Sequence, residues 1–347
     1  MLERMTIRED VPLAPFTTFG IGGAARWFAV ARVEAEVVEA VVWAREHGVP
    51  LFVLGGGSNL LVRDAGFAGL VLRIEIEGIT HCGDGRLDVG AGVSWDGFVD
   101  HAIDLELAGI ECLAGIPGSL GGTPVQNVGA YGQEVSETIE SVRAFDRQTE
   151  AFVELAKADC RFRYRESLFN TDEPGRYIVT RVRFRLRPGG APTLKYADLQ
   201  RRFGSGPAPS LAEVATVVRE IRRSKGMLIL PGDPDCRSAG SFFKNPVIDA
   251  EAMARVIAAA EGFEVPHWAT GEGRVKLPAA WLVERAGFVK GYGDGRVGIS
   301  SRHTLALVNR GGASCADVER LQDEIVAAVA ERFGIVLERE PVLLGAA

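Results

Sequence analysis

"AGIPGSLGGTPVQNVGAYG", residues 114–132, holds six glycines, two prolines and no charged side chain. Glycine reaches positive φ and carries no Cβ, so a glycine-rich turn can aim successive backbone N–H groups at an anion without any cationic side chain. A second stretch has the same character. "LGGGSNLLV" (54–62) follows "PLFVL" (50–54), a short apolar run bounded by Pro50 and Gly55 that reads as a buried strand emptying into a loop. Gly55, Gly56 and Gly57 leave the backbone open there, and Ser58 and Asn59 add side-chain donors. One such loop is often an ordinary turn; two uncharged ones in one chain point to a phosphate-bearing ligand.

A third glycine cluster does not join them. "GIGGAA" (20–25) satisfies G-x-G-x-x-A, but Pro12 and Pro15 precede it where a central parallel strand would be needed, and the following "RWFAVA" is extended rather than helical. A Rossmann dinucleotide site is therefore rejected.

Working outward, "VEAEVVEAVVWAREH" (33–47) sets Val33, Val37, Val41 and Ala44 on one helical face and stops at Gly48 and Pro50. "VLRIEIEGI" and "RLDVGAGV" alternate as sheet with one buried side, and a helix is expected from Ser94 to Ala108. "SVRAFDRQTEAFVEL" reads as a hairpin about 147–149, and "YIVTRVRFRL" as another strand. The Pro-, Gly- and Arg-rich region 187–210 marks a boundary, left by the helix "LAEVATVVREIRRSK". Beyond it come a helix "AEAMARVIAAAEG", a strand "HTLALVN", a helix from Ser314 to Phe333 with a capping box, and a closing strand "GIVLEREPVLLG". The fold class is α+β.

Composition narrows the function. The chain has 347 residues, enough for two or three domains, with 47% hydrophobic content. A net charge of −7 with Lys and Arg interspersed among acids leaves no basic footprint for nucleic acid or an anionic membrane. Five scattered cysteines without CxxC spacing indicate buried thiols in a reducing compartment, and neither a disulfide framework nor a metal site. No signal peptide and no apolar run of about 18 residues occurs, so a cytoplasmic protein is expected. His47 and His101 in helices and His81 in a turn read as solvated or satisfied.

"TTFGIGGAARWFAV", "LGGGSNLLV", "GIPGSLGGTPVQNVGAYG", "CRFRYRESLF", "GSFFKNP" and "HTLALVN" occur in the order and spacing of the UDP-N-acetylenolpyruvoylglucosamine reductases, flavoenzymes of peptidoglycan precursor synthesis, which the chain resembles over nearly its whole length. The resemblance implies an FAD-binding domain of the vanillyl-alcohol oxidase (PCMH) type over 1–222, in subdomains 1–70 and 71–222, to which the C-terminal strand 335–347 returns. A smaller α+β substrate-binding domain would occupy 223–334. FAD would lie non-covalently against Gly55, Gly56, Gly57, Ser58, Asn59, Ile116, Pro117, Gly118, Ser119, Gly121, Gly122, Asn127, Gly129 and Ala130. The implied substrate is a small molecule, a UDP-sugar enolpyruvyl ether, the hydride donor is NADPH, and a monomer without metal, nucleic acid or membrane partner is expected.

The implied reaction moves a hydride from NADPH, by way of FAD, to the terminal vinyl carbon, and negative charge then spreads from the neighbouring carbon into the carboxylate. Three residues match the family's motif. Arg165 in "RYRESLF" faces that carboxylate with a planar, permanently charged guanidinium, where a surface salt bridge to Glu166 would be the ordinary use. Ser241 in "GSFFKNP" is the proton donor; a cap is the common use of serine after glycine. Glu340 in "LEREP" assists the second half-reaction; Glu338, two residues away and on the same strand face, competes with it, and the spacing from Asn309 favours Glu340. Tyr131 and Asn245 match sugar-nucleotide contacts, Tyr196 in "KYADL" the tyrosine that closes over the diphosphate in one subtype, and His303 a polar position toward the substrate. Ile229 stands where some members carry a lysine, so Lys225, one turn earlier, is expected to contact the pyrophosphate. An alcohol or lactone oxidase of the same fold would share the glycine loops without needing Arg165, Ser241 and Glu340 together; a non-catalytic flavin-binding module would use them as caps and surface pairs.

Overall fold

In the computed structural model, which describes residues 5–204, 206–271 and 273–345, helix appears where apolar residues recur every three or four positions. Helix α1 (Glu34–Glu46) buries Val37, Ala40, Val41 and Ala44. Helix α2 (Trp95–Asp104) starts under the Ser94 hydroxyl and buries Trp95, Phe98, Val99 and Ala102. Helix α3 (Ala197–Phe203) is short, and α4 (Leu211–Ser224) buries Val214, Ala215, Val217 and Val218. Asp249 caps α5 (Ala250–Ala259), and α6 (Ala279–Arg285) follows Pro278. The Ser314–Asp317 capping box opens α7 (Cys315–Phe333), which ends on Gly334 at φ 66°.

The chain divides into two compact units. The first comprises 5–11, 25–57 and 68–223. It contains a four-stranded sheet in the order Arg8–Pro12, Ala24–Ala31, Phe67–Ile74, Leu51–Leu54, whose last pair is parallel. A five-stranded antiparallel sheet runs Ala151–Ala156, Ile139–Asp146, Tyr177–Arg185, Arg86–Gly90, Ile79–His81. Alternation drives the pairing: Ile178, Val182 and Phe184 face the core, where Phe184 lies 5.0 Å from Phe98 and 6.1 Å from Trp95 of α2. Trp95 Nε1 donates to Leu113 O at 3.0 Å, which ties α2 to the approach of the glycine-rich stretch.

The second unit comprises 12–24, 58–67 and 224–345. Its core joins Phe242, Phe243, Leu282, Val318, Ile325 and Phe333. Two early segments are stitched into it by specific bonds. Asn309 Nδ2 donates to Phe19 O at 3.0 Å, and Asp64 accepts the first amides of α7, from Cys315 at 2.8 Å and Ala316 at 3.1 Å. Strand Val342–Leu344 runs parallel to Leu60–Val62.

Several boundaries differ from those expected. The units part between Arg223 and Ser224, close to the anticipated 222, but 12–24 and 58–67 belong with the second unit rather than the first. The C-terminal strand is also part of the second unit and does not return to the first, because its partner is 60–62. The expected helix 94–108 ends at Asp104: Glu106 takes φ 54°, and Leu107–Ala108 pairs as strand with Arg187–Pro188. After "GIGGAA" the chain is strand, with no helix to complete a dinucleotide fingerprint. Among the described residues, no helix is long and apolar enough to cross a membrane.

Candidate active site

Backbone contact between the two uncharged loops explains their composition. A Cβ on Gly56 would lie 2.4 Å from Gly118 Cα, and one on Gly55 would lie 2.6 Å from Ser119 Oγ. Gly118 itself takes φ 123°. Among the described residues, the amides of Gly55, Gly56, Gly57, Ile116, Gly118 and Ser119 donate to no protein acceptor. Adjoining loops that present unused N–H donors and carry no cation form a cradle whose chemistry suits a pyrophosphate.

Other residues expected at the cofactor have their polar groups engaged within the unit. The amides of Gly121, Gly122 and Asn127 go to Ala91 O, Ser119 O and Pro124 O. The Asn127 side chain donates to Glu134 at 2.9 Å and Arg163 O at 3.0 Å and accepts from Ser136 N at 3.2 Å, so it shapes the loop from within. Gly129 and Ala130 form a short strand against Gln133 and Glu134. Pro117, without an amide hydrogen, lies between Ile116 and Gly118; Ser58 and Asn59 open a segment of the second unit, where Asn59 Nδ2 donates to Glu340 O at 3.4 Å.

Arg165 takes φ 59°, and its guanidinium donates to Gly129 O at 2.7 Å and Asn127 O at 3.4 Å. Glu166, the carboxylate beside it in sequence, instead pairs with Arg163 at 3.0 Å. Arg165 is thus a cation aimed along the glycine-rich stretch. Tyr131, at φ 49°, meets the Tyr196 ring edge-to-face at 5.2 Å, and its hydroxyl bonds to Arg222.

Sequence reasoning missed the clamp on Gly115. Asp96 Oδ1 accepts Gly115 N at 2.6 Å and Arg219 Nη2 at 2.6 Å, while Arg222 Nε donates to Gly115 O at 3.0 Å. Burial lowers the Arg222 pKa, and Tyr131 and Asp96 counter it. The i, i+3 spacing of Arg219 and Arg222 on α4 was the available signal. Buried Glu111 adds support from below, accepting Gly109 N, Gln133 Nε2 and Thr193 N at 2.7–2.8 Å.

In the second unit, Phe243 bridges Arg339 in antiparallel pairing, with Lys244 N donating to Glu338 O and Glu340 N to Phe242 O, each at 2.9 Å. This register brings the segments carrying Ser241 and Glu340 side by side. Ser241 is half-buried and, among the described residues, takes part in no hydrogen bond. Glu340 is half-buried, whereas the Glu338 side chain is 74% exposed and pairs with Lys244 at 3.4 Å.

His303 follows a turn held by the Ser300 hydroxyl, which accepts the amides of Arg302 and His303. Its Nδ1 accepts Leu305 N at 3.0 Å, which leaves Nε2 as the protonated nitrogen of the neutral ring. Burial, then the charges of Lys225 and Lys290, push its pKa down to about 4. Lys225 is therefore placed near His303; Lys290 was not anticipated. Asn245 Oδ1 accepts Ala279 N at 2.9 Å, capping α6 and leaving its amide donors to other partners. Four of the five cysteines are buried and Cys82 is exposed; burial pushes Cys160 and Cys315 up to about 12, which suits inert thiols. No group of three or more metal-ligating side chains occurs among the described residues.

Comparison with known proteins finds family matches in both parts of the chain. Residues 25–154 match the model of an FAD binding domain, and 233–344 that of the UDP-N-acetylenolpyruvoylglucosamine reductase C-terminal domain. The UDP-N-acetylenolpyruvoylglucosamine reductase of Thermobifida fusca is 48% identical, covering 97% of this chain and 98% of its own length. That of Streptomyces coelicolor is 47% identical, with 100% and 92% covered. The crystal structure of the Thermus caldophilus reductase superposes with a TM-score of 0.68 at 28% identity, over 98% of this chain and 100% of that one. An FAD-binding domain joined to a C-terminal domain of the reductase family is the arrangement that these matches share. With near-complete coverage at close to half identity, the chain belongs to the UDP-N-acetylenolpyruvoylglucosamine reductase family of FAD-dependent oxidoreductases.

Proposed function

We propose that this protein reduces the enolpyruvyl ether of UDP-N-acetylglucosamine to UDP-N-acetylmuramate for peptidoglycan precursor synthesis, as a cytoplasmic monomer that draws its electrons from NADPH. Family membership carries the reading, and it is supported by the pairing that sets the "GSFFKNP" segment, with its unengaged Ser241 hydroxyl, against the segment of Glu340.

The backbone donors of 55–57, 116, 118 and 119 suit the pyrophosphate of FAD. Bound FAD supplies the hydride, taken from NADPH, for the terminal vinyl carbon of the substrate. The chain's residues must then manage charge and proton. A bare vinyl ether is a poor hydride acceptor, because negative charge develops on the adjacent carbon and its carboxylate. Arg165, oriented by the carbonyls of Asn127 and Gly129, is the charge for that carboxylate; such fixed groups contribute about 3–4 kcal/mol in comparable sites. Ser241 gives its hydroxyl proton to the carbanionic carbon, a downhill transfer to a strong base, and Glu340 supports return of a proton to the serine. Tyr131, Tyr196, Lys225, Asn245 and His303 hold the nucleotide sugar: Lys225 as the pyrophosphate cation, neutral His303 through Nε2–H, Asn245 through its amide, and Tyr196 by closing over the diphosphate.

Anaerobic flavin spectroscopy tests the proposal. The yellow protein should bleach with NADPH and recolour when the enolpyruvyl nucleotide is added without oxygen. Recolouring by oxygen alone, with the nucleotide inert, would make it an oxidase; a colourless protein unable to take up FAD would leave only a scaffold.

A further inference from the structure

Two imidazoles of the first unit, twenty residues apart in sequence, meet on its surface. His81 ends the edge strand Ile79–His81, and His101 lies on α2. Antiparallel register places His81 opposite Leu87 and Ile79 opposite Val89, and residues opposite each other share a face. Leu87 and Val89 are buried in the same core as Phe98 and Val99 of α2, so His81 stands at the rim of the face that α2 covers. There its Nε2 lies 3.2 Å from His101 Nε2, with ring centroids 5.3 Å apart and planes at 74°. Cys82 is not part of the pair: its Sγ donates to Thr80 O and lies against Asp88.

Imidazole nitrogens bind zinc at about 2.0–2.1 Å, and two such bonds spanning 3.2 Å subtend about 100° at the metal, near the tetrahedral angle. We propose that His81 and His101 form a two-histidine site for a borderline divalent ion of the Zn2+, Ni2+ or Cu2+ class, which fastens the edge strand to α2. Imidazole selects these ions over Mg2+ and Ca2+, which prefer oxygen ligands. The site is open to solvent, so water fills the remaining coordination positions. Without metal, one ring donates its Nε2–H to the other; on binding, that ring's proton moves through solvent to Nδ1, so both rings stay neutral, each presents an Nε2 lone pair to the ion, and no net proton is released. The site needs none of the residues assigned to the flavin chemistry.

Equilibrium dialysis of the FAD-loaded full chain against Zn2+ alone tests the proposal, comparing wild type with H81A and H101A. The wild type should retain one more equivalent per chain than either variant, and Zn2+ should raise the melting temperature of the wild type only. Co2+, used on wild type alone, should show the visible bands of a tetrahedral ion, a readout that does not depend on how the variants fold. Equal Zn2+ uptake by all three proteins, loss in only one variant, or no Co2+ bands would overturn the site. Bleaching by NADPH should be the same in all three.

Discussion

The amide of Glu340 donates to the carbonyl of Phe242 at 2.9 Å, so the residue that follows Ser241 is bonded directly to the backbone of the candidate catalytic carboxylate. Ser241→Ala removes a hydroxyl that makes no hydrogen bond among the described residues, and should leave folding intact. Flavin bleaching by NADPH should proceed at its normal rate, while recolouring by the enolpyruvyl nucleotide slows about 10²–10⁴-fold, the usual worth of a positioned acid. Stopped-flow absorbance separates the two halves; full-speed recolouring would remove Ser241 from its role.

Glu338 and Glu340 share a strand spacing but not an environment. Glu338 is largely exposed and held only by Lys244, a pair of the kind whose loss changes stability by less than about 1 kcal/mol. Glu338→Gln should therefore turn over like the wild type in a steady-state assay. Glu340→Gln should lower kcat at unchanged folding stability. The reverse pattern would transfer the role to Glu338.

Gly56→Ala drives a methyl to within 2.4 Å of Gly118 Cα and 2.7 Å of Ser119 N, where neither backbone atom has a rotamer to escape into. Overpacking of this kind costs about 1–3 kcal/mol, and should appear as weaker FAD retention on gel filtration together with a lower melting temperature. Gly295→Ala, outside the glycine loops, meets only Val297 O at 3.9 Å and serves as the control. FAD retention unchanged in Gly56→Ala would detach this loop from the cofactor.

His303 titrates near 4 when folded, against an ordinary 6.5. The unfolded chain therefore binds more protons between those values, and stability falls as pH drops through that window, by up to about 3 kcal/mol for this group. Above about 6.5 its contribution is complete. Chemical denaturation of His303→Gln at pH 7 and pH 4.5 should show a smaller difference than in the wild type; an equal difference would mean that the imidazole is not buried neutral.

Much of this was readable in order along the chain. The apolar spacing of α1, α4 and α7, the Ser314 cap and the 147–149 hairpin are local properties, and the glycines of the two uncharged loops signal a close backbone approach, seen at Gly56 and Gly118. Long-range pairing was hidden. Nothing near 58–67 says that Asp64 will meet the first turn of α7, and nothing in "HTLALVN" says that His303 to Ala306 will turn under Ser300 and leave only Leu307–Asn309 as strand. "GIVLEREPVLLG" likewise gives strand at Val342–Leu344 alone, since the preceding residues pair with the Ser241 segment through one bridge at Arg339. The clamp on Gly115 escaped notice because its bonded partners Asp96 and Arg219 lie on helices 123 positions apart in sequence. His81 and His101 show no ligand spacing because a sheet edge and a helix bring them together.

The parallel pairing of Leu60–Val62 with Val342–Leu344 also sets a schedule for birth on the ribosome. At ordinary elongation rates, some 280 residues and on the order of half a minute separate synthesis of the two strands. During that interval the nascent chain carries an apolar strand whose edge awaits a mate. Chaperone demand should thus peak late in translation, and messages truncated shortly before codon 342 should yield aggregating chains rather than a shorter enzyme.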